Sequence, residues 1–259
     1  MVVVITGASQ GIGKAIASVF ARRGHKVFDL SRHGVSSDGI THITCDVTDE
    51  RKVQEAVQVV LSQETVIDVL ICNAGYGIAG AVEFTRLDDA EQQFRVNFFG
   101  ALSVVQAVLP IMRSRRSGKI LFISSVAAVF SIPFQSFYSA AKAALNSLAL
   151  ALRSELEGYG VQVSVVQLGD VASNFTSSRK TDWEGETVYP SMRSSIQAME
   201  HDERTGMTPD YVAQQVSRLV LKRSLAPIYT IGRAYRLFVF LGRLLPQRFI
   251  RWIVTRMYK

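Results

Sequence analysis

The stretch Thr6-Gly7-Ala8-Ser9-Gln10-Gly11-Ile12-Gly13 lies between a short β-branched run, residues 2–6, and a helical pattern that starts at Gly11. Glycine lets a backbone turn tightly and approach a pyrophosphate closely. The start of the following helix offers unpaired N–H groups and a positive dipole end to that anion. Because the glycines stand between a strand and a helix, the stretch predicts a dinucleotide-binding turn rather than a purely structural one. The residues assigned to phosphate binding are Gly7, Ser9, Gln10, Gly11, Ile12 and Gly13.

Outside this turn, short apolar runs alternate with helical patterns along most of the chain. The first run, residues 2–6, lacks polar–apolar alternation, which is typical of a strand buried on both faces. Such repeated units predict an α/β fold with a parallel sheet of about seven strands and helices on both faces. The predicted strands are 2–6, 26–30, 40–45, 66–72, 119–124, 161–168 and 228–231. The predicted helices are 11–23, 49–61, 87–113, 136–156 and one that starts at Thr208-Pro209.

The end of the second predicted strand bears on which ribose the turn fits. An acidic residue there accepts a hydrogen bond from a 2′-hydroxyl and favours NAD(H), whereas a guanidinium pairs with a 2′-phosphate. Ser31 and Arg32 stand at this end, which favours NADP(H) and leaves NAD(H) possible. Asp29 lies two residues earlier and would favour NAD(H) if the strand ended sooner. A solvated loop charge is the alternative for Arg32.

Composition narrows the classes of protein. Of the 259 residues, 48% are hydrophobic and 20% charged, which is typical of a packed globular chain and excludes a disordered or collagen-like one. Residues 226–259 hold seven basic and no acidic residues, whereas the rest holds 22 of each, so the net charge of +7 comes from the C-terminal part. We therefore expect no nucleic-acid partner for the body of the protein.

The sequence also allows predictions about where in the cell the protein is located and whether it binds a metal. The apolar start is too short for a secretory signal, and arginines interrupt the apolar C-terminal segment, so no transmembrane helix is expected. Two cysteines, Cys45 and Cys72, make no disulfide framework, which favours the cytoplasm. The four histidines are dispersed and no CxxC or HExxH spacing occurs, so no metal site is predicted.

Tyr138 and Lys142 are four residues apart within a predicted helix and therefore share a face. An ammonium beside a phenol favours the phenolate, so Lys142 is expected to lower the pKa of Tyr138 toward the working pH. A tyrosine tuned in this way suits general acid/base catalysis between an alcohol and a carbonyl. Taken alone, this spacing is common and carries little weight.

The pair stands within a series of further motifs. They are Thr6–Gly13, Cys45-Asp46-Val47, Asn73-Ala74-Gly75, Asn97, Ser124-Ser125 and Leu168-Gly169. In this order they resemble the short-chain dehydrogenase/reductase family, from about residue 2 to 175 and more weakly through the last strand. The resemblance implies a Rossmann-type doubly wound sheet and an NAD(P)-dependent oxidoreductase. It also implies homodimers or homotetramers that pair through the helices containing Asn97 and Tyr138.

The resemblance also implies residue roles. Tyr138 protonates the carbonyl oxygen in reduction, Lys142 holds the nicotinamide ribose and tunes Tyr138, and Ser125 hydrogen-bonds the substrate oxygen. Asn97 holds a water for proton relay. A buried amide that satisfies backbone groups at a helix bulge is the structural alternative for Asn97, and the two roles are compatible. The further cofactor-binding residues that it implies are Asp46, Val47, Asn73, Ala74, Gly75, Gly169, Val171 and Ser173.

Three positions depart from the family pattern. Leu168-Gly169 stands where the family often has Pro-Gly, and Ser173 replaces a threonine that binds the carboxamide. A serine can still donate and accept. Gln10 stands where NADP-preferring relatives often carry a basic residue, so Arg32 is expected to act without that helper.

Two segments remain outside these motifs. Residues 170–207 show no clear periodicity and predict a lid or a disordered loop. Aromatic and apolar side chains in this segment and just before Tyr138 suit a bulky apolar substrate such as a steroid, retinoid or long-chain keto compound. Ordinary core packing is the alternative. Arg179, Lys180 and Arg193 could instead meet an acidic substrate group. The aromatic and apolar residues concerned are Phe134, Phe137, Phe175, Trp183, Tyr189 and Met192.

Residues 234–259 predict two short helices broken at Pro246, the second with a polar stripe at Arg248, Arg251, Thr255 and Lys259. A basic helix that carries Trp252 can lie at an anionic membrane. It can also pack on its own domain or on a second subunit, which is the favoured interpretation.

The sequence thus predicts one domain, 1–259, that reduces a carbonyl with NADP(H) or oxidises the alcohol. A cofactor-sensing protein without turnover and a membrane-surface scaffold are the alternatives. Neither needs Ser125, Tyr138 and Lys142, which favours the enzyme.

Overall fold

The computed structural model of the protein describes residues 1–258, with the backbone alone for Arg243. Seven parallel strands form one sheet in the order β3-β2-β1-β4-β6-β7-β9. They are β1 Val2–Thr6, β2 Lys26–Ser31, β3 Ile40–Thr44, β4 Val69–Cys72, β6 Gly118–Ser125, β7 Val161–Leu168 and β9 Ile228–Ile231. A two-residue pair, β5 Ile78–Ala79 and β8 Lys180–Thr181, forms a second, parallel sheet. The predicted doubly wound α/β fold is confirmed.

Helices cover both faces of the main sheet. Alternate residues of β1 divide between the two cores, Val2 and Val4 in one and Val3 and Ile5 in the other. This division explains why the strand shows no polar–apolar alternation. The helices are α1 Gly11–Arg22, α2 Glu50–Gln63, α3 Leu87–Phe94, α4 Gly100–Ser114, α5 Ser136–Glu155, α6 Met192–Thr205, α7 Pro209–Val220, α8 Arg233–Leu244 and α9 Gln247–Met257.

The strand order reverses between β1 and β4, because β2 pairs with one side of β1 and β4 with the other. In open parallel sheets, ligands bind at the carboxyl ends of the strands beside such a reversal. The glycine-rich turn follows β1, so the fold places it at this edge.

Three predicted elements differ from the structure. The fourth strand begins at Val69 rather than at 66, and the Asp68 side chain there accepts a hydrogen bond from the Val2 N–H, 2.8 Å away. The helix predicted over 87–113 contains a π-helical turn, Arg95–Phe99, between α3 and α4. The segment 170–207 contains the fourteen-residue helix α6. Two of the five buried positions of α6 are polar, Ser195 and Glu203, which hides its helical period.

The C-terminal helices pack against α6. Val239 of α8 and Ile250 and Val254 of α9 lie in a third apolar cluster with Met192 and Ile196. The two predicted helices and their break at Pro246 are confirmed, and one face of each packs on the chain itself. Of the predicted polar stripe, Lys259 lies outside the described residues.

The continuous helical stretch Leu87–Ser114 has the length and apolar composition of a membrane span, contrary to the expectation of none. Within it, Val104, Val108 and Met112 are fully buried in the core beneath the sheet. Core packing therefore accounts for the apolar character of this helix.

Candidate active site

A cavity of about 800 Å³ extends from the glycine-rich turn to Tyr138. Every predicted site residue except Asn97 lines it. They are Gly7, Ser9, Gln10, Gly11, Ile12, Gly13, Ser31, Arg32, Asp46, Val47, Asn73, Ala74, Gly75, Ser125, Tyr138, Lys142, Gly169, Val171 and Ser173. The topology thus brings side chains from the ends of six strands into one chamber. No cluster of three or more metal-ligating side chains occurs in residues 1–258.

The turn after β1 requires glycine at three positions. Gly7 and Gly11 have φ of +68° and +53°, a region that L side chains rarely adopt. A Cβ on Gly13 would lie 2.3 Å from the Gly7 carbonyl oxygen and 2.5 Å from Asn73 Nδ2. The backbone therefore forms a cradle that any larger side chain would deform, which fits a pyrophosphate on the start of α1.

Replacing Gly13 by alanine is expected to lower NADPH affinity by about 100-fold and to destabilise the fold by about 1–3 kcal/mol, because the added methyl must displace backbone. Fluorescence titration and thermal unfolding measure the two effects. Gly24→Ala is the matched control. Gly24 has φ +76° at the far end of α1 and no atom within 4 Å of its Cβ position. The Gly24→Ala variant should lose stability but keep its affinity for NADPH. Unchanged NADPH binding in Gly13→Ala would contradict the cradle.

The Asp29 carboxylate is buried and interacts with three neighbouring groups. It accepts hydrogen bonds from the Ala8 N–H, 2.8 Å away, and from the Ser31 hydroxyl, 2.8 Å away, and it pairs with His42 at 3.0 Å. Strand β2 runs on to Ser31, so Arg32 is the first residue beyond the strand. Asp29 therefore supports the turn, and the exposed guanidinium of Arg32 stands at the ribose end of the cavity.

Two further predicted cofactor residues are held by local bonds. Asn73 Nδ2 donates to the carbonyl oxygens of Thr6 and Gly7, both 3.0 Å away, which ties the end of β4 to the turn. Asp46 accepts from the backbone and hydroxyl of Thr48. Burial acts to raise the pKa of Asp46, but the bonds from Thr48 and the nearby Arg32 together hold it below its ordinary value. Asp46 is thus an anionic acceptor in the cavity wall, and its contact with the adenine ring stays a prediction.

Tyr138 and Lys142 lie one turn apart on α5, where Lys142 is buried and Tyr138 is half-buried. Lys142 Nζ donates to the Ile123 carbonyl oxygen at 2.8 Å and lies 5.7 Å from the centre of the Tyr138 ring. Ser125, at the end of β6, accepts from the Ala127 N–H at 3.0 Å. The Phe175 ring packs against Tyr138 with 5.3 Å between centroids. The three predicted catalytic groups are therefore brought together.

Burial is the dominant influence on both titratable groups. It raises the pKa of Tyr138 well above its ordinary value, although a hydrogen bond with Ser125 acts to lower it. Burial lowers the pKa of Lys142 to about 8. The expectation that Lys142 lowers the pKa of Tyr138 is wrong for this structure, because desolvation of the phenolate outweighs the charges around it. Tyr138 is consequently a neutral phenol, which can donate a proton.

Asn97 lies in the π-helical turn and does not line the cavity. Its Oδ1 accepts from the Tyr76 N–H at 3.0 Å, and its Nδ2 donates to the Tyr76 carbonyl oxygen at 2.9 Å. A Cβ on Gly75 would lie 3.0 Å from Oδ1 and 3.7 Å from Lys142 Nζ. Asn97 therefore satisfies backbone at a helix bulge beside the site, and its part in proton relay stays a prediction.

The loop after β7 lines the cavity near Tyr138 and Phe175. A Cβ on Gly169 would lie 2.2 Å from the Tyr235 ring, and the Tyr235 hydroxyl donates to Asp170 at 2.6 Å. Ser173 lies across from Gly11, whose Cβ position is 3.6 Å from the Ser173 Cβ. Glycine at 169 is thus required by an aromatic ring of α8, a contact that the sequence did not reveal.

Comparison with known proteins identifies this arrangement. The family model described as short chain dehydrogenase matches residues 1–184. The chain belongs to the short-chain dehydrogenase/reductase family.

Individual relatives agree with this assignment. A 3-ketodihydrosphingosine reductase of Bacteroides thetaiotaomicron is 36% identical over 227 residues, covering 86% of this chain and 84% of the relative. A probable short-chain type dehydrogenase/reductase, VdlC, of Helicobacter pylori is 34% identical, covering 94% and 93% of the two chains. The solved structure of a short-chain dehydrogenase from Streptomyces avermitilis has a TM-score of 0.84 at 28% identity, covering 98% and 94%.

The three basic residues that could meet an acidic substrate group are all paired in this dehydrogenase/reductase. Lys180 binds Asp89 at 2.7 Å, Arg193 binds Glu186, and Arg179 binds Glu203. None of the three lines the cavity. The structure therefore gives no support to recognition of an acidic substrate by these residues.

The Arg179–Glu203 pair is buried, with side-chain exposures of 1% and 12%. Replacing Arg179 by methionine is expected to cost about 3–5 kcal/mol, because it leaves Glu203 without its cation. Chemical denaturation measures the loss. Arg193→Met is the control, since its pair with Glu186 has an arginine side chain that is 54% exposed. It should cost less than about 1 kcal/mol. Equal losses of stability in the two variants would contradict a contribution that depends on the burial of the ion pair.

The structure also places residues in the cavity wall that sequence reasoning missed. Of the aromatic residues proposed for the substrate pocket, Phe175 alone lines the cavity, while Phe134, Tyr189 and Met192 pack in the third cluster. Phe238, Val254, Met257 and Tyr258 supply the wall instead. Their spacing within two amphipathic helices was visible in the sequence, but no motif linked them to the site.

Proposed function

We propose that the enzyme interconverts a ketone or aldehyde and its alcohol with NADP(H), Tyr138 acting as the general acid/base. The observation that carries the proposal is the single cavity that joins the glycine-rich turn and Arg32 to Ser125, Tyr138 and Lys142. The glycine cradle at one end of this cavity fits a pyrophosphate, and the three proposed catalytic side chains line the other end.

The choice of NADP(H) rests on the ribose end. Asp29 is buried among Ala8, Ser31 and His42 and does not line the cavity, so a 2′-hydroxyl in the cavity would not reach it. Arg32 is exposed at the cavity wall, where its guanidinium can pair with a 2′-phosphate. NAD(H), which lacks that phosphate, would bind through the remaining contacts alone.

The residues of the chain perform the proton chemistry. When bound, the nicotinamide supplies or accepts the hydride. Ser125 donates to the carbonyl oxygen and orients it toward Tyr138. In reduction the Tyr138 phenol gives its proton to that oxygen, and in oxidation the phenolate accepts it. Lys142, whose Nζ donates to the Ile123 carbonyl oxygen, would bind the nicotinamide ribose.

The substrate class we propose is a bulky apolar ketone, of the long-chain keto kind. Phe130, Phe238, Val254 and Met257 give the cavity an apolar wall. The name of the Bacteroides relative, a 3-ketodihydrosphingosine reductase, supports a long-chain ketone over a steroid or retinoid. Asp170 and Asp202 also line the cavity and would suit an amino group near the ketone.

The experiment is a substrate comparison. NADPH consumption at constant enzyme is followed with 3-ketodihydrosphingosine, a simple long-chain ketone and a steroid ketone. The long-chain ketones are expected to be reduced with the higher kcat/KM. Faster reduction of the steroid would contradict the proposed class, and no reduction of any of them would contradict the proposed activity.

The raised pKa of Tyr138 makes the two directions respond differently to pH. Reduction needs the phenol, which is the populated form below that pKa, so its rate is expected to stay constant through neutral pH. Oxidation needs the phenolate, whose fraction rises about tenfold per pH unit below the pKa. Initial rates in both directions between pH 6 and pH 9 check this. A reduction rate that falls as pH rises through 7 would contradict the assignment.

A further inference from the structure

Helix α8 carries a second apolar face that the fold leaves exposed. Leu237, Phe240, Leu241 and Leu244 recur at i, i+3, i+4 and i+7, so they form one stripe. Their exposure lies between 39% and 66%. Val239, on the opposite side, is buried in the third cluster. The helix is therefore apolar both toward the protein and toward solvent.

Helix α9 repeats this arrangement. Phe249, Trp252 and Met257 are about half exposed, and the rings of Phe249 and Trp252 stack with 5.8 Å between centroids. Ile250 and Val254 fill the inner face. Exposed aromatic side chains grouped in this way mark an interaction surface more often than a free surface.

The surroundings of both stripes are basic. Residues 226–259 contain no acidic residue. The exposed arginines of the two helices are Arg233, Arg236, Arg248, Arg251 and Arg256. A second copy placed symmetrically on this surface would set these arginines against one another. An anionic surface would instead meet complementary charge.

We propose that α8 and α9 form a docking surface for an anionic lipid bilayer. The exposed stripe residues enter the interfacial region, and the arginines bind lipid headgroups. The inner faces of the same helices supply Phe238 and Val254 to the cavity wall. Docking therefore brings the apolar cavity close to the lipid. The docking proposal itself depends on no step of the proposed reaction.

The test is sedimentation of the full chain with vesicles, without turnover. One set contains phosphatidylglycerol and phosphatidylcholine, and the other contains phosphatidylcholine alone. The wild-type chain is expected to sediment with the anionic vesicles. The double variant Phe240→Ser/Trp252→Ser should bind at least about tenfold more weakly, since it removes two large apolar groups. Leu221→Ser, with 58% exposure on the body of the protein, is the control and should bind like the wild type.

A charge variant tests the second half of the proposal. Arg248→Gln/Arg251→Gln is expected to weaken binding by about tenfold at low salt. Arg22→Gln/Arg218→Gln removes two exposed arginines from the body and should have no such effect. Thermal unfolding of each variant verifies folding.

Three results would overturn the proposal. The wild-type chain could stay in solution with both vesicle types, or the variants could bind as it does. Sedimentation velocity could instead show a wild-type oligomer that Phe240→Ser/Trp252→Ser dissociates, without vesicle binding. In that case the occupant would be a second copy of the chain.

Discussion

Replacing Tyr138 by phenylalanine is expected to lower NADPH-dependent ketone reduction by about 10³-fold, within the range that general acid catalysis contributes. The change removes the hydroxyl that gives its proton to the carbonyl oxygen and leaves the ring packed against Phe175. NADPH affinity should change by less than about threefold, because the glycine-rich turn and Arg32 are untouched. Steady-state kinetics and fluorescence titration measure the two quantities.

Tyr159→Phe is the control for this experiment, since Tyr159 is 44% exposed and lies outside the cavity. It should leave both quantities unchanged. Turnover that survives in Tyr138→Phe would show that another group donates the proton. Loss of NADPH binding together with turnover would show that the phenylalanine disturbs the cavity.

Replacing Arg32 by alanine is the second change with a large expected effect. NADPH affinity should fall by about 10- to 100-fold, the equivalent of hydrogen bonds to a charged phosphate. NADH affinity should stay within about twofold, because NADH lacks the 2′-phosphate that Arg32 would bind. The preference for NADPH over NADH, measured as the ratio of Kd values, should therefore collapse.

Arg22→Ala, a change at an exposed arginine outside the cavity, should leave the ratio as it is in the wild type. Equal losses of NADPH and NADH affinity in Arg32→Ala would show that Arg32 contacts a group common to both. No loss of either would show that the guanidinium is a solvated loop charge.

Much of the fold could be predicted from local pattern. Strands such as β1 and β4 are short apolar runs. The Thr208-Pro209 start of α7 is a capping signal that the structure confirms, with the Tyr211 N–H donating to the Thr208 hydroxyl at 3.2 Å. Helix α6 could not be found in this way. Its buried positions include Glu203, whose carboxylate is satisfied by Arg179 and Thr176 from the preceding loop.

The residues of the site also fall into those that local sequence pattern reveals and those that only the folded chain reveals. The glycine-rich turn and the Tyr138–Lys142 pair are short-range patterns whose spacing reveals them. The role of Asp29 depends on contacts with Ala8 and His42, which only the folded chain brings together. The sequence predicts a lowered pKa for Tyr138, whereas desolvation raises it. The sequence shows which charges are near this residue but not how far the fold excludes water from its hydroxyl.

Direct hydride transfer is best measured as transfer of deuterium from NADPH labelled at nicotinamide C4 to a long-chain ketone. With one of the two C4-labelled forms, we expect the alcohol product to carry one deuterium on its carbinol carbon, as seen by mass spectrometry. We also expect Tyr138→Phe to form this product about 10³-fold more slowly. An alcohol without deuterium from either labelled form would contradict direct hydride transfer, and NADPH binding with no alcohol formed would contradict the proposed reaction.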